Sequence, residues 1–88
     1  MTTSNLLRRR VTVTGEAGLH ARPAADFAAA AARFGADVRV AKAEHEVDGK
    51  SVLLLLTLDV RCGDSITITA DGPDAEQAIE TLCATVAP

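Results

Sequence analysis

The residues best suited to chemistry lie in the run Gly18-Leu19-His20-Ala21-Arg22-Pro23-Ala24. Proline is accommodated in a helix only in the first turn, and the stretch that follows repeats at helical spacing. His20 is therefore expected at the mouth of a helix whose first N–H groups lack intrahelical partners. Those donors, the positive helix end and the Arg22 guanidinium together make a small anion site. Imidazole, with an ordinary pKa of about 6.5, is partly unprotonated near neutrality and offers a nucleophilic nitrogen. An imidazole inside an anion site points to a histidine that carries a phosphoryl group. A lone histidine at a strand–helix junction is more often a cap or a surface residue. Arg22 weighs against that reading, because a cation beside a helix N-terminus is unfavourable unless an anion visits. The backbone amides of Ala21 and Arg22 are the expected phosphate donors.

The elements that must hold this motif follow from periodicity. Leu7 to Thr14 alternates, with Leu7, Val11 and Val13 on one side and Arg8, Arg10, Thr12 and Thr14 on the other, as in a half-buried strand. A loop over Gly15 to Gly18 leads into a helix from Ala21 to Phe34. Its Ala24, Phe27, Ala28, Ala31 and Phe34 share a face, and Gly35 is placed to stop it in a left-handed conformation. Val38 and Val40 mark a second strand over Asp37 to Ala41, and Val47 a weaker third over Glu44 to Asp48, with His45 at a strand edge. Asp48-Gly49 signals a turn, and Ser51 is placed to cap a short apolar helix from Val52 to Leu56, although periodicity there is equally compatible with a buried strand. Ser65 to Ala70, with Ile66 and Ile68 inward, reads as a fourth strand. Asp71-Gly72-Pro73-Asp74 opens a last helix with Ala75, Ala78, Ile79, Leu82 and Val86 on one face.

The order βαββαβα, without repeats or linkers, predicts one α+β domain over residues 1–88, its sheet covered on a single face by helices and its first six residues frayed. Eighty-eight residues leave little room for a deep enclosed site, since a chain of this size buries only about 60% of its unfolded surface. With only Phe27 and Phe34 as aromatics, the core must be built from Ala, Val, Leu and Ile, and no stacking platform exists for bases or sugars. A net charge of −3 argues against a nucleic-acid partner, and Arg8-Arg9-Arg10 reads as a solvated strand. Cys62 and Cys83 lack the spacing of a redox or zinc site and are expected as free thiols in a reducing compartment. No secretion signal or membrane span is recognisable, which places the protein in the cytoplasm. The chain carries no P-loop and no carboxylate cluster suited to magnesium, so neither metal nor cofactor is expected. An enzyme with its own substrate pocket would need a second polar cluster that the chain does not offer.

The run Gly18 through Ala24, together with Asp48-Gly49-Lys50-Ser51 at the right distance and the matching element order, resembles the histidine-containing phosphocarrier family, HPr, of the bacterial phosphoenolpyruvate-dependent sugar phosphotransferase system. The resemblance covers nearly the whole chain. It implies an open-faced β-sandwich, with a four-stranded antiparallel sheet covered on one face by three helices. It implies a stoichiometric carrier rather than an enzyme. His20 would accept a phosphoryl group on Nδ1 from phosphohistidine of enzyme I and pass it to a histidine of EIIA sugar-permease components. Arg22 would stabilise the phosphoryl group, and Ser51 would be the site of regulatory phosphorylation by an HPr kinase/phosphorylase, with a transcriptional regulator as a further partner. Val52, Leu53 and Leu56 are expected to contribute an exposed docking patch, because a helix apolar all round cannot bury every side in so small a domain. The chain departs from common family patterns at Ala29 and Ala32, where polar or basic residues are frequent, and at Leu54, where glycine or a polar residue is frequent. A paralogous carrier of a nitrogen-related phosphotransfer chain, or a binding module governed mainly by Ser51 phosphorylation, remains an alternative at this stage.

Overall fold

The computed structural model describes residues 5–88. Its order is β1 (Leu6–Thr12), α1 (Ala21–Ala32), β2 (Asp37–Lys42), β3 (His45–Asp48), α2 (Val52–Thr57), β4 (Ser65–Asp71) and α3 (Ala75–Val86), matching the expected βαββαβα. The strands form one antiparallel sheet in the order β1-β4-β2-β3. This is the expected open-faced α+β sandwich: the helices bury one face and leave the other open.

Registry follows hydrophobic parity. On the covered face Val38 and Val40 of β2 lie opposite Ala70 and Ile68 of β4, and Ile66 lies opposite Val11 of β1. These residues join Ala24, Phe27, Ala28 and Ala31 of α1 and Ala75, Ala78, Ile79, Leu82 and Val86 of α3 in one apolar cluster. The many alanines let α1 and α3 lie close to the sheet and to each other, so Phe27 alone supplies aromatic bulk at the centre. On the open face Arg8, Thr69 and Arg39 stand in one row. Thr69 is nearly covered there although nothing packs above the sheet, as expected where arginine stems lie along a surface.

Several boundaries differ from expectation, each for a physical reason. Residues 1–4 of the expected frayed segment lie outside the described residues, but Asn5 accepts a bond from the Gly72 amide and Leu6 pairs with Asp71, so fraying does not extend to these two. The β1 ladder stops at Thr12 rather than Thr14. Val13 exchanges backbone bonds with Asp64 and Gly63 instead of continuing along β4. Leu7 keeps inward parity yet stays exposed, because β1 is an edge strand and Leu7 lies in a shallow groove with Gly72, Pro73 and Ala75 at the margin of the helical layer.

The first helix ends at Ala32, not Phe34, and Gly35 does not take positive φ. The chain end of α1 is instead held from outside. The Asp74 carboxylate accepts from the Gly35 and Ala36 amides, both at 2.8 Å, and Lys50 Nζ donates to the Phe34 carbonyl at 2.9 Å. The Ala30 and Ala31 carbonyls accept from the Arg33 and Phe34 amides, both at 3.2 Å, so no left-handed glycine cap is needed. The segment left open between helix and strand is a helix, α2. Ser51 caps it by accepting from the Leu54 amide at 3.2 Å.

Candidate functional site

The loop between β1 and α1 is tied down before His20 is reached. The Thr14 and Gly15 amides donate to the Val86 carbonyl at the end of α3, and the Gly18 amide donates to the Gly15 carbonyl. Gly18 takes φ +60 and presses its Cα against the Val60 carbonyl and the Arg61 Cα, where a side chain would have no room. Leu19, fully buried, donates its amide to the Val60 carbonyl at 3.0 Å. The motif is thus docked, glycine and leucine first, onto the segment that follows α2. His20 stands at the edge of that joint.

His20 is the residue just before α1, with extended backbone (φ −112, ψ 156), and its side chain does not cap the helix. Its ring is 41% exposed, and Nε2 lies 3.2 Å from Asp59 Oδ1. Ala21, the first residue of α1, has φ 49, a left-handed conformation that costs an alanine about 1–2 kcal/mol. Such strain persists only where surrounding contacts impose it. The α1 N-terminus carries no acidic residue in its first turn. Arg22, two residues on from His20 in the first turn of α1, is exposed and has no ion pair or side-chain hydrogen bond among the described residues.

The surroundings of Asp59 were not legible in the sequence. Asp59 also has positive φ (49), a region aspartate tolerates better than most residues. Its carboxylate meets the Arg61 guanidinium through Nη2 at 3.1 Å and Nε at 3.4 Å, and its carbonyl accepts from Lys42 Nζ at 2.6 Å. Lys42 pairs in turn with Asp64 at 3.0 Å, and the Asp64 carboxylate accepts from the Arg61 amide at 2.9 Å. The Arg61 hydrogen bond, reinforced by the charges of Arg61, His20 and Lys42, holds the Asp59 carboxyl below the usual carboxylate range. The Arg61 amide, and then Lys42, do the same for Asp64. Glu16, Ala17, His20, Asp59, Arg61 and Cys62 line a shallow, open depression. A phosphoryl group on another macromolecule can reach the ring here, whereas a small molecule would not be enclosed.

Ser51 and α2 lie apart from this depression but in the same stretch of chain, since Asp59 follows shortly after α2 ends. Ser51 is half-buried with its hydroxyl engaged by the helix it caps. Val52, Leu53 and Leu56 are exposed, Leu53 at 77%, while Leu55 is fully buried. Leu54 is exposed as well, so the apolar patch is larger than the three expected residues. Ala29 and Ala32 are exposed on α1. Cys62 and Cys83 are both free, as expected; burial pushes the Cys83 thiol up, with Arg9 opposing it. His45 sits exposed on the edge strand β3. Among the described residues no cluster of histidine, cysteine or carboxylate side chains could hold a metal, and no helix is long and apolar enough to cross a membrane.

One open antiparallel sheet with three helices on a single face, and a half-exposed histidine directly before α1, defines an open-faced α+β sandwich. Residues 7–87 match the family model described as the phosphorylation site of the PTS HPr component. The chain belongs to the HPr family of phosphocarrier proteins. It is 40% identical over 79 residues to the phosphocarrier protein HPr of Vibrio cholerae, spanning 90% of this chain and 93% of that one. It is 39% identical over 80 residues to the phosphocarrier protein NPr of Shewanella violacea, spanning 91% and 88%. The fold matches the crystal structure of a phosphocarrier protein HPr from Bacillus anthracis with a TM-score of 0.91 and 43% identity, over 93% of this chain and 98% of that one. HPr proteins are carriers rather than catalysts.

Proposed function

We propose that His20 accepts a phosphoryl group from phosphohistidine of enzyme I and relays it to a histidine of EIIA sugar-permease components, with Arg22 and the Ala21 and Arg22 amides stabilising the loaded ring. The observation that carries this reading is the placement of His20: half-exposed, uninvolved in capping and directly before the N-terminus of α1. A charge at an exposed helix end is worth about 0.3–1 kcal/mol, enough to orient a phosphoryl group without holding it against onward transfer. The chain's own residues do no bond-breaking beyond offering one ring nitrogen. The exposed side of α2, Val52, Leu53 and Leu56, serves as the apolar part of the docking surface shared by donor and acceptor. Ser51 is the regulatory position; a phosphate there would replace the hydroxyl acceptor at the α2 cap and add charge beside the patch.

The similarity to NPr favours a second reading, a carrier in a nitrogen-related chain, to nearly the same degree as the sugar branch. The two are separated by purified components. The protein is incubated with phosphoenolpyruvate and the enzyme I of either branch, and then with EIIA domains of either branch. Faster loading and onward transfer with the sugar-branch pair supports the proposal; preference for the other pair replaces it with the nitrogen-related reading. Failure of both enzymes to load the wild-type protein overturns both readings.

A further inference from the structure

The structure assigns Asp59 as the positioning residue of the phosphoryl acceptor: its carboxylate, 3.2 Å from His20 Nε2, favours the ring proton on Nε2 and leaves the lone pair on Nδ1. The inference rests on the carrier reading of His20 and adds to it the residue that selects the reacting nitrogen. A carboxylate oxygen 3.2 Å from Nε2 carries negative charge and no proton, so in the neutral ring it favours the tautomer with hydrogen on that nitrogen. The other nitrogen then carries the lone pair.

Asp59 is built to hold this pose. Its left-handed backbone is clamped by Lys42 at the carbonyl and by its own amide donating to the Leu56 carbonyl at 3.3 Å. Arg61 grips the carboxylate at both oxygens, and Asp64 fixes Lys42 and the Arg61 amide. The chain of contacts runs from the end of β2, through the loop before β4, to one atom of the His20 ring. Each link orients the next and none competes for Nδ1.

The transfer step balances without any proton leaving the ring. The Nδ1 lone pair attacks the donor phosphorus, the new N–P bond forms as the donor's N–P bond breaks, and the donor nitrogen keeps the bonding pair. The loaded ring retains its Nε2 proton and bears a positive charge facing Asp59. Arg61, bonded to both carboxylate oxygens, and Lys42 nearby offset the charge of Asp59, so the phosphoryl group is not met by an uncompensated negative charge. Onward transfer is the same exchange in reverse.

Ring nitrogen-15 NMR of the unphosphorylated protein at alkaline pH, where imidazole is neutral, reads the tautomer directly. The wild type is expected to hold its proton almost wholly on Nε2. Asp59→Gly, which suits positive φ and removes the carboxylate, should raise the Nδ1–H form several-fold, and Asp59→Asn, which keeps the shape but removes the charge, should raise it as well. In single-turnover loading by phosphorylated enzyme I, Asp59→Gly should be slower by about tenfold or more. An unchanged tautomer ratio in Asp59→Gly, or an unchanged loading rate, overturns the inference while leaving the carrier reading intact. A tautomer shift in a protein whose wild type is never phosphorylated would overturn the carrier reading, and with it any role of Asp59 in transfer. Backbone amide spectra of each variant report whether the fold is kept.

Discussion

At the scale of residues, the site is assembled from positions that are individually unfavourable. Ala21 and Asp59 both occupy left-handed backbone without being glycine, and Gly18 is wedged where no side chain fits. Among the described residues, the ion-pair contact of the His20 ring is made with one of these strained residues, Asp59. Replacing Ala21 by glycine should therefore relieve the fold, raising stability by about 1 kcal/mol. Urea titration should show a higher midpoint with an unchanged slope, and a lower midpoint would contradict the assigned strain. His20 and Arg22 were legible in sequence because proline, glycine and a helical repeat fix where the helix must begin. Asp59 was not, because Leu58-Asp59-Val60 has no motif and four elements lie between it and His20. Only the docking of Leu19 on Val60 brings them together.

At the scale of elements, helix ends are closed by side chains from elsewhere in the chain, and this makes the fold acid-sensitive. Asp74 precedes α3 yet binds the amides that follow α1, and the Gly35 hydrogen bond, with help from the Ala36 amide and the charge of Lys50, holds its carboxyl below the usual range. Asp59 and Asp64 are lowered too. A carboxyl whose folded pKa is depressed stabilises fully above its unfolded value, and that contribution is lost as pH falls through the folded value. Stability should thus be flat near neutrality and decline below about pH 4, with a shallower decline in Asp74→Asn. Denaturant midpoints across that range test this, and an unchanged pH slope in the variant would contradict it. Gly35 misled the sequence reading because the Ala30 and Ala31 carbonyls at the end of α1 already accept from the Arg33 and Phe34 amides, so no left-handed glycine is required to satisfy them. For α2 the apolar run left helix and strand open, and the Ser51 cap decides it. Within α2, Leu55→Ala should cost about 2–5 kcal/mol, while Leu53→Ala should change stability by no more than about 0.5 kcal/mol. Thermal or urea unfolding of the pair would reveal equal losses if Leu53 were part of the core.

At the scale of the whole molecule, the covered face of the sheet holds the core and the ends of its connections hold the function. The open face, with Arg8, Arg10 and Arg39 among threonines, takes no part in the site. The strand parities and the buried faces of α1 and α3 were legible from period alone, because alternation and helical repeat are each tied to one side of a single sheet. Strand order was not, since β1 joins β4 across the molecule and no local signal states which edge a strand will take. The result is a small body with the His20 imidazole in a shallow, open depression and an exposed apolar patch on α2, a form suited to contact with other macromolecules rather than to enclosing a substrate. The most direct test of the central claim is incubation with enzyme I and phosphoenolpyruvate, followed by intact mass and phosphosite mapping before and after mild acid. The account predicts one acid-labile phosphoryl group, located on His20 and absent from His20→Ala. An acid-stable adduct, or a labile one that persists in His20→Ala, would contradict it.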